Sequence, residues 1–137
     1  MDRKDLRALS RVRLSEAQAL LKAGLPDGAY YLAGYAVECA LKACIAKETQ
    51  RYEFPEKKRV DASYTHSLKE LVRVAELRDE LQAAQETDPL FERYWVIVQL
   101  WPEQSRYSRH SPEGSQRLIE AISDRNHGVM KWVKHYW

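Results

Sequence analysis

Over most of the chain, apolar residues return every three or four positions, the spacing that lays them along one side of an α-helix. Leu6, Leu9, Val12, Leu14, Ala17, Leu20 and Leu21 form such a stripe, with arginines and lysines on the other side. They predict an amphipathic helix from Leu6 to Ala23, with Gly24 as its C-cap and Pro26 enforcing the stop. The next segment, Asp27 to Lys47, is apolar nearly all round. Tyr30, Ala33, Gly34, Val37, Ala40, Leu41, Cys44 and Ile45 share one broad face, and Leu32, Ala36, Cys39 and Ala43 share an adjoining one. Such a helix is packed on several sides, and its small residues let neighbours come close. A single mixed strip interrupts it: Tyr31, Tyr35, Glu38 and Lys42. Glu38 and Lys42 are an i, i+4 pair in the favourable order. Asp27 is placed to accept hydrogen bonds from the first-turn N–H groups. The short turn between these two helices makes them an antiparallel pair.

The pattern lapses from Glu48 to Ser63, a charged stretch broken by Pro55, which reads as a solvated loop with a basic run at Lys57, Lys58 and Arg59. Thr65 or Ser67 then caps a third helix, with Glu70 at capping-box spacing from Ser67. Its apolar face is Leu68, Leu71, Val72, Ala75, Leu77 and Leu81. Thr87-Asp88-Pro89 opens a fourth helix that ends at Trp101-Pro102. The β-branched run Val96 to Val98 has strand character but no second strand to pair with, so it is read as helix. Ser111-Pro112-Glu113 starts the last helix, whose stripe is Leu118, Ile122, Val129, Trp132, Val133 and Tyr136. Arg125 would face inward in that stripe. A break at Asp124–Gly128 resolves this better than a polar site between helices, since Asn and Gly are poor in helix interiors. The predicted architecture is all-α: an up-and-down bundle of four to five helices in one domain spanning residues 1–137.

Composition agrees. Hydrophobic residues make up 45% of the 137, enough for a core, and only five Gly and five Pro occur, mostly between periodic segments. Twenty-two Lys and Arg against 20 Asp and Glu leave a net charge of +2, which neither requires nor excludes a nucleic-acid partner. No run is long and apolar enough for a membrane span, and the charged N-terminus has no apolar signal core, so the expectation is a cytoplasmic protein. Cys39 and Cys44 lie five apart on the buried helix, face different ways, and read as small core residues. No His or Cys near them has metal-ligand spacing, so no metal and no cofactor is expected.

DGAYYLAGYAVECALKACI, then YTHSLKEL, then SRY ahead of the last helix resembles the HEPN family of small prokaryotic helical domains, over nearly the whole chain. The resemblance implies a helical bundle, a homodimer with a cleft between protomers near the last two helices, and a minimal nucleotidyltransferase as partner in a toxin–antitoxin pair. It also implies RNA or nucleotide as ligand. The family's ribonuclease members share an Arg and a His four to six residues apart near the start of the final helix. Metal-free RNA cleavage needs a base, an acid and a cation, which such a pair can supply.

In this chain the pair in the right place is Arg106 and His110, with only three residues between them. Arg59 and His66 have six between them but precede the third helix. Arg106 and His110 are therefore the catalytic candidates, and the binding candidates are Tyr31, Tyr35, Glu38, Lys42, Tyr107 and Arg109. Two tyrosines beside a Glu–Lys pair can stack a base and hold a phosphate. Equally, the strip can be a dimer contact or a polar seam between helices. Three functions stand: a dimer that binds RNA or a nucleotide, a metal-independent endoribonuclease, and a non-catalytic dimeric scaffold.

Overall fold

The computed structural model describes residues 1–51, 57–102 and 109–137, with side chains at all of these except 50, 51 and 57–59. Among the described residues the chain is helical and contains no strand. The elements are α1 (Arg3–Lys22), α2 (Pro26–Arg51), α3 (Lys57–Ala62), α4 (Leu68–Val74), α5 (Arg78–Thr87), α6 (Pro89–Val98), α7 (Pro112–Ser123) and α8 (Val129–Lys134). The all-α expectation is met, and Val96–Val98 lies in helix. The four to five helices expected become eight segments among the described residues, for local reasons that follow.

The axis of the bundle is α2. It packs against α1, α4, α7 and α8. Ala29, Ala33, Ala36, Ala40 and Ala43 are completely buried along it, as are Val37 and Leu41. These small side chains let backbone approach backbone, and two serines exploit that. Ser10 of α1 donates its hydroxyl to the Ala36 carbonyl at 2.7 Å, and Ser115 of α7 donates to the Pro26 carbonyl at 2.7 Å. Gly34 is a third close approach, where an added Cβ would overlap the indole of Trp101.

The turn from α1 to α2 is the one the sequence indicates. Gly24 sits at φ +78°; its N–H reaches the Leu21 carbonyl, and that of Leu25 reaches Leu20. This is a Schellman ending, with glycine in the left-handed position that other residues avoid. At the other end of α1, an unexpected capping box joins Asp2 and Asp5.

Five expectations need correction. The central helix does not stop at Lys47 but runs on to Arg51. Glu48 and Thr49 carry no breaking signal, and the Thr49 hydroxyl bonds back to the Ile45 carbonyl at 3.0 Å. The expected loop also contains α3, over residues bearing the basic run. Asp27 lies inside the first turn of α2, where its carboxylate accepts the backbone N–H of His110 at 2.6 Å. The third helix is two: α4 ends and Glu76 takes φ +61°. Its N–H goes to Arg73 and that of Leu77 to Val72, the same Schellman geometry without a glycine to announce it. At the start of α4 only half a capping box forms. Ser67 Oγ accepts the Glu70 N–H at 3.3 Å, while the Glu70 carboxylate pairs with Arg73 instead.

The last helix breaks where Arg125 would have faced inward, and Arg125 is exposed. The Asp124 carboxylate gathers the turn by accepting the Asn126 and His127 N–H groups, both at 2.9 Å. Gly128 closes it, with the Asp124 carbonyl 2.5 Å from where a Cβ would stand. His127 then ties this turn to the start of α6. Its Nδ1 lies 2.7 Å from Asp88, whose other carboxylate oxygen caps the Leu90 and Phe91 N–H groups.

The hydrogen bond from His127 holds the Asp88 carboxyl below its ordinary value, and the N–H groups of His127 and Asn126 do the same for Asp124. A carboxyl lowered in the folded state contributes stability that is complete above its unfolded value, about 3.9, and lost as pH falls further. Urea midpoints should therefore drop between pH 7 and pH 3, and Asp88→Asn, which can still cap α6, should show a smaller drop. Equal drops in both proteins would contradict the assignment.

Candidate functional site

The mixed strip on α2 divides into two halves of different character. Tyr31 and Tyr35 stack in parallel, with ring centroids 6.3 Å apart and planes 7° apart. Tyr31 is 38% exposed and leans on Trp101 at 6.0 Å. One turn further on, Glu38 is only 2% exposed. A carboxylate removed from water must have its oxygens satisfied. Lys42 Nζ donates to Oε2 at 3.2 Å, and Nδ1 of His66 meets Oε1 at 2.8 Å.

Lys42 reaches Glu38 along the helix, at i+4. His66 arrives from the segment before α4, and that segment is shaped by its neighbours. The Ser67 N–H bonds to Thr65 Oγ1 at 3.1 Å, and Ser67 in turn caps α4. The imidazole is thus fixed on one side by Glu38, while its side chain remains 52% exposed.

Beside this pair lies a cleft of about 570 Å³ between the start of α1 and the second half of α2, walled in part by Arg3, Leu6, Tyr35, Lys42 and Tyr64. Cys39 also lines it, but burial pushes its thiol up to about 11, so it is not a nucleophile near neutral pH. Cys44, pushed up by burial to about 12, is a core residue, as the sequence suggests.

The catalytic candidates lie elsewhere. Arg106 and Tyr107 fall outside the described residues. His110 lays its ring flat on Tyr30, with centroids 3.7 Å apart and planes 5° apart, and its backbone is tied to Asp27. Arg109 is exposed. Tyr30 precedes Glu38 by eight residues, about 12 Å along a helix, so His110 and the buried half of the strip are not brought together. A second cleft of about 560 Å³ opens beside the α7–α8 turn and is lined by Arg125, Lys131, Lys134 and His135. None of the binding or catalytic candidates among the described residues line it.

The residue that sequence reasoning passed over is His66, set aside with Arg59 because that pair lies before the third helix and not ahead of the last one. The usable signal was Glu38. An acid on a helix that is otherwise buried needs a partner from another element, and the histidine just before the next capped helix is a natural one. Among the described residues no three His, Cys, Asp or Glu side chains converge as a metal set, and no helix is long and apolar enough to cross a membrane.

A family model described as the HEPN domain matches residues 4–136, and the chain belongs to that family. No curated protein and no solved structure matches it.

If Glu38 is the buried centre of this arrangement, Glu38→Ala should destabilise the fold by ~3 kcal/mol in urea titrations, because His66 and Lys42 lose their common acceptor. His66→Ala, removing a half-exposed ring, should cost only about 1 kcal/mol. The reverse order would mean that the pair is not organised around the carboxylate.

Proposed function

We propose that this HEPN domain is an RNA- or nucleotide-binding homodimer that works with a nucleotidyltransferase partner in a toxin–antitoxin-type pair. The observation that carries the binding half is the parallel Tyr31–Tyr35 stack leading into a cleft that contains Lys42. Exposed aromatic faces accept bases of any sequence, and an ammonium beside them answers the phosphate. Glu38 serves here by holding Lys42 and His66 rather than by touching ligand. Arg109, exposed just ahead of α7, is a further cation in the proposed reading, and Tyr107, a binding candidate from the sequence, lies outside the described residues. The dimer and the nucleotidyltransferase partner are supported by family membership.

The endoribonuclease reading that uses Arg106 and His110 has less support. Their spacing is one residue short of the family's ribonuclease pattern, and the His110 ring is engaged face to face by Tyr30. A general base must meet the proton it removes, and a ring held flat on a tyrosine has little freedom to do so.

Fluorescence anisotropy with a labelled single-stranded RNA, competed by free nucleotides, tests the binding reading. Tyr31→Ala combined with Tyr35→Ala should weaken binding about 10- to 100-fold, since stacking is worth about 1–3 kcal/mol per base. Sedimentation should give twice the 16.0 kDa chain mass. Unchanged affinity in the double variant would remove the strip from the site, and a monomer would remove the dimer.

A further inference from the structure

We infer that the groove between α1 and α8 is a docking site for an acidic segment of another protein, one that carries an apolar side chain among its carboxylates. The groove shares no lining residue with the cleft beside α2, so the inference goes beyond the RNA-binding reading and does not depend on it.

The first observation is a gathering of like charge. The guanidinium carbons of Arg7 and Arg11 lie 5.1 and 4.8 Å from the centre of the Trp137 ring, and Lys134 Nζ lies 5.6 Å from it. Arg3 donates to the main-chain oxygen of the same tryptophan. Lys134 also lines the cleft of about 560 Å³ beside the α7–α8 turn, together with Arg125 and Lys131. Arg7, Arg11, Leu14 and Gln18 fall at i, i+4, i+7 and i+11, one face of α1, and the last two line that cleft. The two sets of cations therefore border one groove, about 16 Å long over that stretch of α1.

The second observation is that this charge is uncompensated. Among the described residues, Arg7, Arg11, Arg125, Lys131 and Lys134 take part in no ion pair. Asp124 lines the cleft, but its carboxylate already accepts the Asn126 and His127 N–H groups and the Tyr94 hydroxyl. Arg7 Nε is buried without a hydrogen-bond partner, a donor left unmet in the free protein. Arg7 and Arg11 are also like charges at i, i+4, which weakens a helix that stands alone. Five such cations in a chain of net charge +2 leave the remainder net negative, so the groove is a local positive field that draws anions.

The third observation is the floor of the cleft. It is formed by Leu14, Ile122 and Met130, of which Ile122 is completely buried. An apolar floor inside a cationic rim fits an apolar side chain flanked by carboxylates, the usual plan of an anchor in a protein interface. The length of the groove is the reach of roughly five extended residues. A polynucleotide fits less well. Single strands are held by ring faces on which bases stack. The ring at this groove, Trp137, is 6% exposed and already has three cations around it.

The test uses fluorescence anisotropy on the full chain at low salt. The probes are a labelled oligoglutamate with one central leucine, the same peptide with serine in place of leucine, and a single-stranded RNA of equal charge. The leucine peptide should bind, and the serine peptide should bind about 10-fold more weakly. Arg125→Glu and Lys134→Glu should each weaken the leucine peptide at least ~10-fold, since each sets a carboxylate against the acidic probe. Lys69→Glu, an equal change of net charge at an exposed position on α4, should leave it unchanged. Arg125 is exposed and makes no ion pair among the described residues, so its variant keeps the test open should Lys134→Glu fail to fold. No binding of the leucine peptide, equal binding of the serine peptide, or an equal loss in Lys69→Glu would overturn the inference. So would RNA that binds more tightly than the peptide and is released by Arg125→Glu, which would make the groove a nucleic-acid surface. Self-association abolished by Arg125→Glu, with no peptide bound, would make a second copy of the chain the occupant and would equally overturn it.

Discussion

A charge on a helix that must otherwise be covered with hydrocarbon is the constraint from which the rest of the structure follows. Every side of α2 except one strip is buried against α1, α4, α7 or α8. Apolar packing alone can cover such a helix, and the alanine series makes that packing close. It cannot cover Glu38. Neutralising the carboxylate requires a donor from its own helix and another from outside, and Lys42 and His66 fill these roles. The position of α4 is thereby linked to the charge, since α4 must start where His66 reaches α2. Leu68, the first residue of α4, is 1% exposed and shows the same segment committed to the core.

The core and the elements were legible because they are periodic. The stripes of α1, α2, α6 and α7 can be read from spacing, and the caps at Ser111 and Asp88 from residue type. What escaped notice depends on partners distant in sequence or on signals that are missing. Glu76 closes α4 in a left-handed conformation with no glycine to mark it. Asp27 resembles a cap for its own helix, yet it holds the backbone of His110, 83 residues away. Pro55 drew attention to a loop and hid two helical stretches on either side of it. The break after α7 was found only because Arg125 violated a stripe, a local conflict that the chain resolves by turning.

The candidate site was half legible for the same reason. Spacing alone placed Tyr31, Tyr35, Glu38 and Lys42 in one line. It did not show that the line changes character midway, from a ring stack with Tyr31 exposed and Tyr35 half-buried to an ion pair with a buried carboxylate. The Trp101 indole accounts for part of this change. It lies against Gly34 and meets the Tyr31 ring at 6.0 Å. The pairing of His66 with Glu38 was out of reach of helical spacing, because the two are 28 positions apart in the chain.

Stability alone gives a poor account of the Glu38 arrangement. Replacing a buried ion pair with well-packed apolar residues is often neutral or stabilising, because desolvation of both charges offsets their attraction. Leucines at these positions would cover α2 with less risk than a carboxylate that needs two partners. The second partner is also an uneconomical choice for a mere tie, since a half-exposed imidazole anchors little apolar surface. A buried acid behind an open ring does gain one thing that an apolar seam cannot supply. It fixes which ring nitrogen carries the proton and which way the ring faces. The seam is thus a means of holding an open imidazole in one orientation beside α2, a setting that the flat-packed His110 ring does not share.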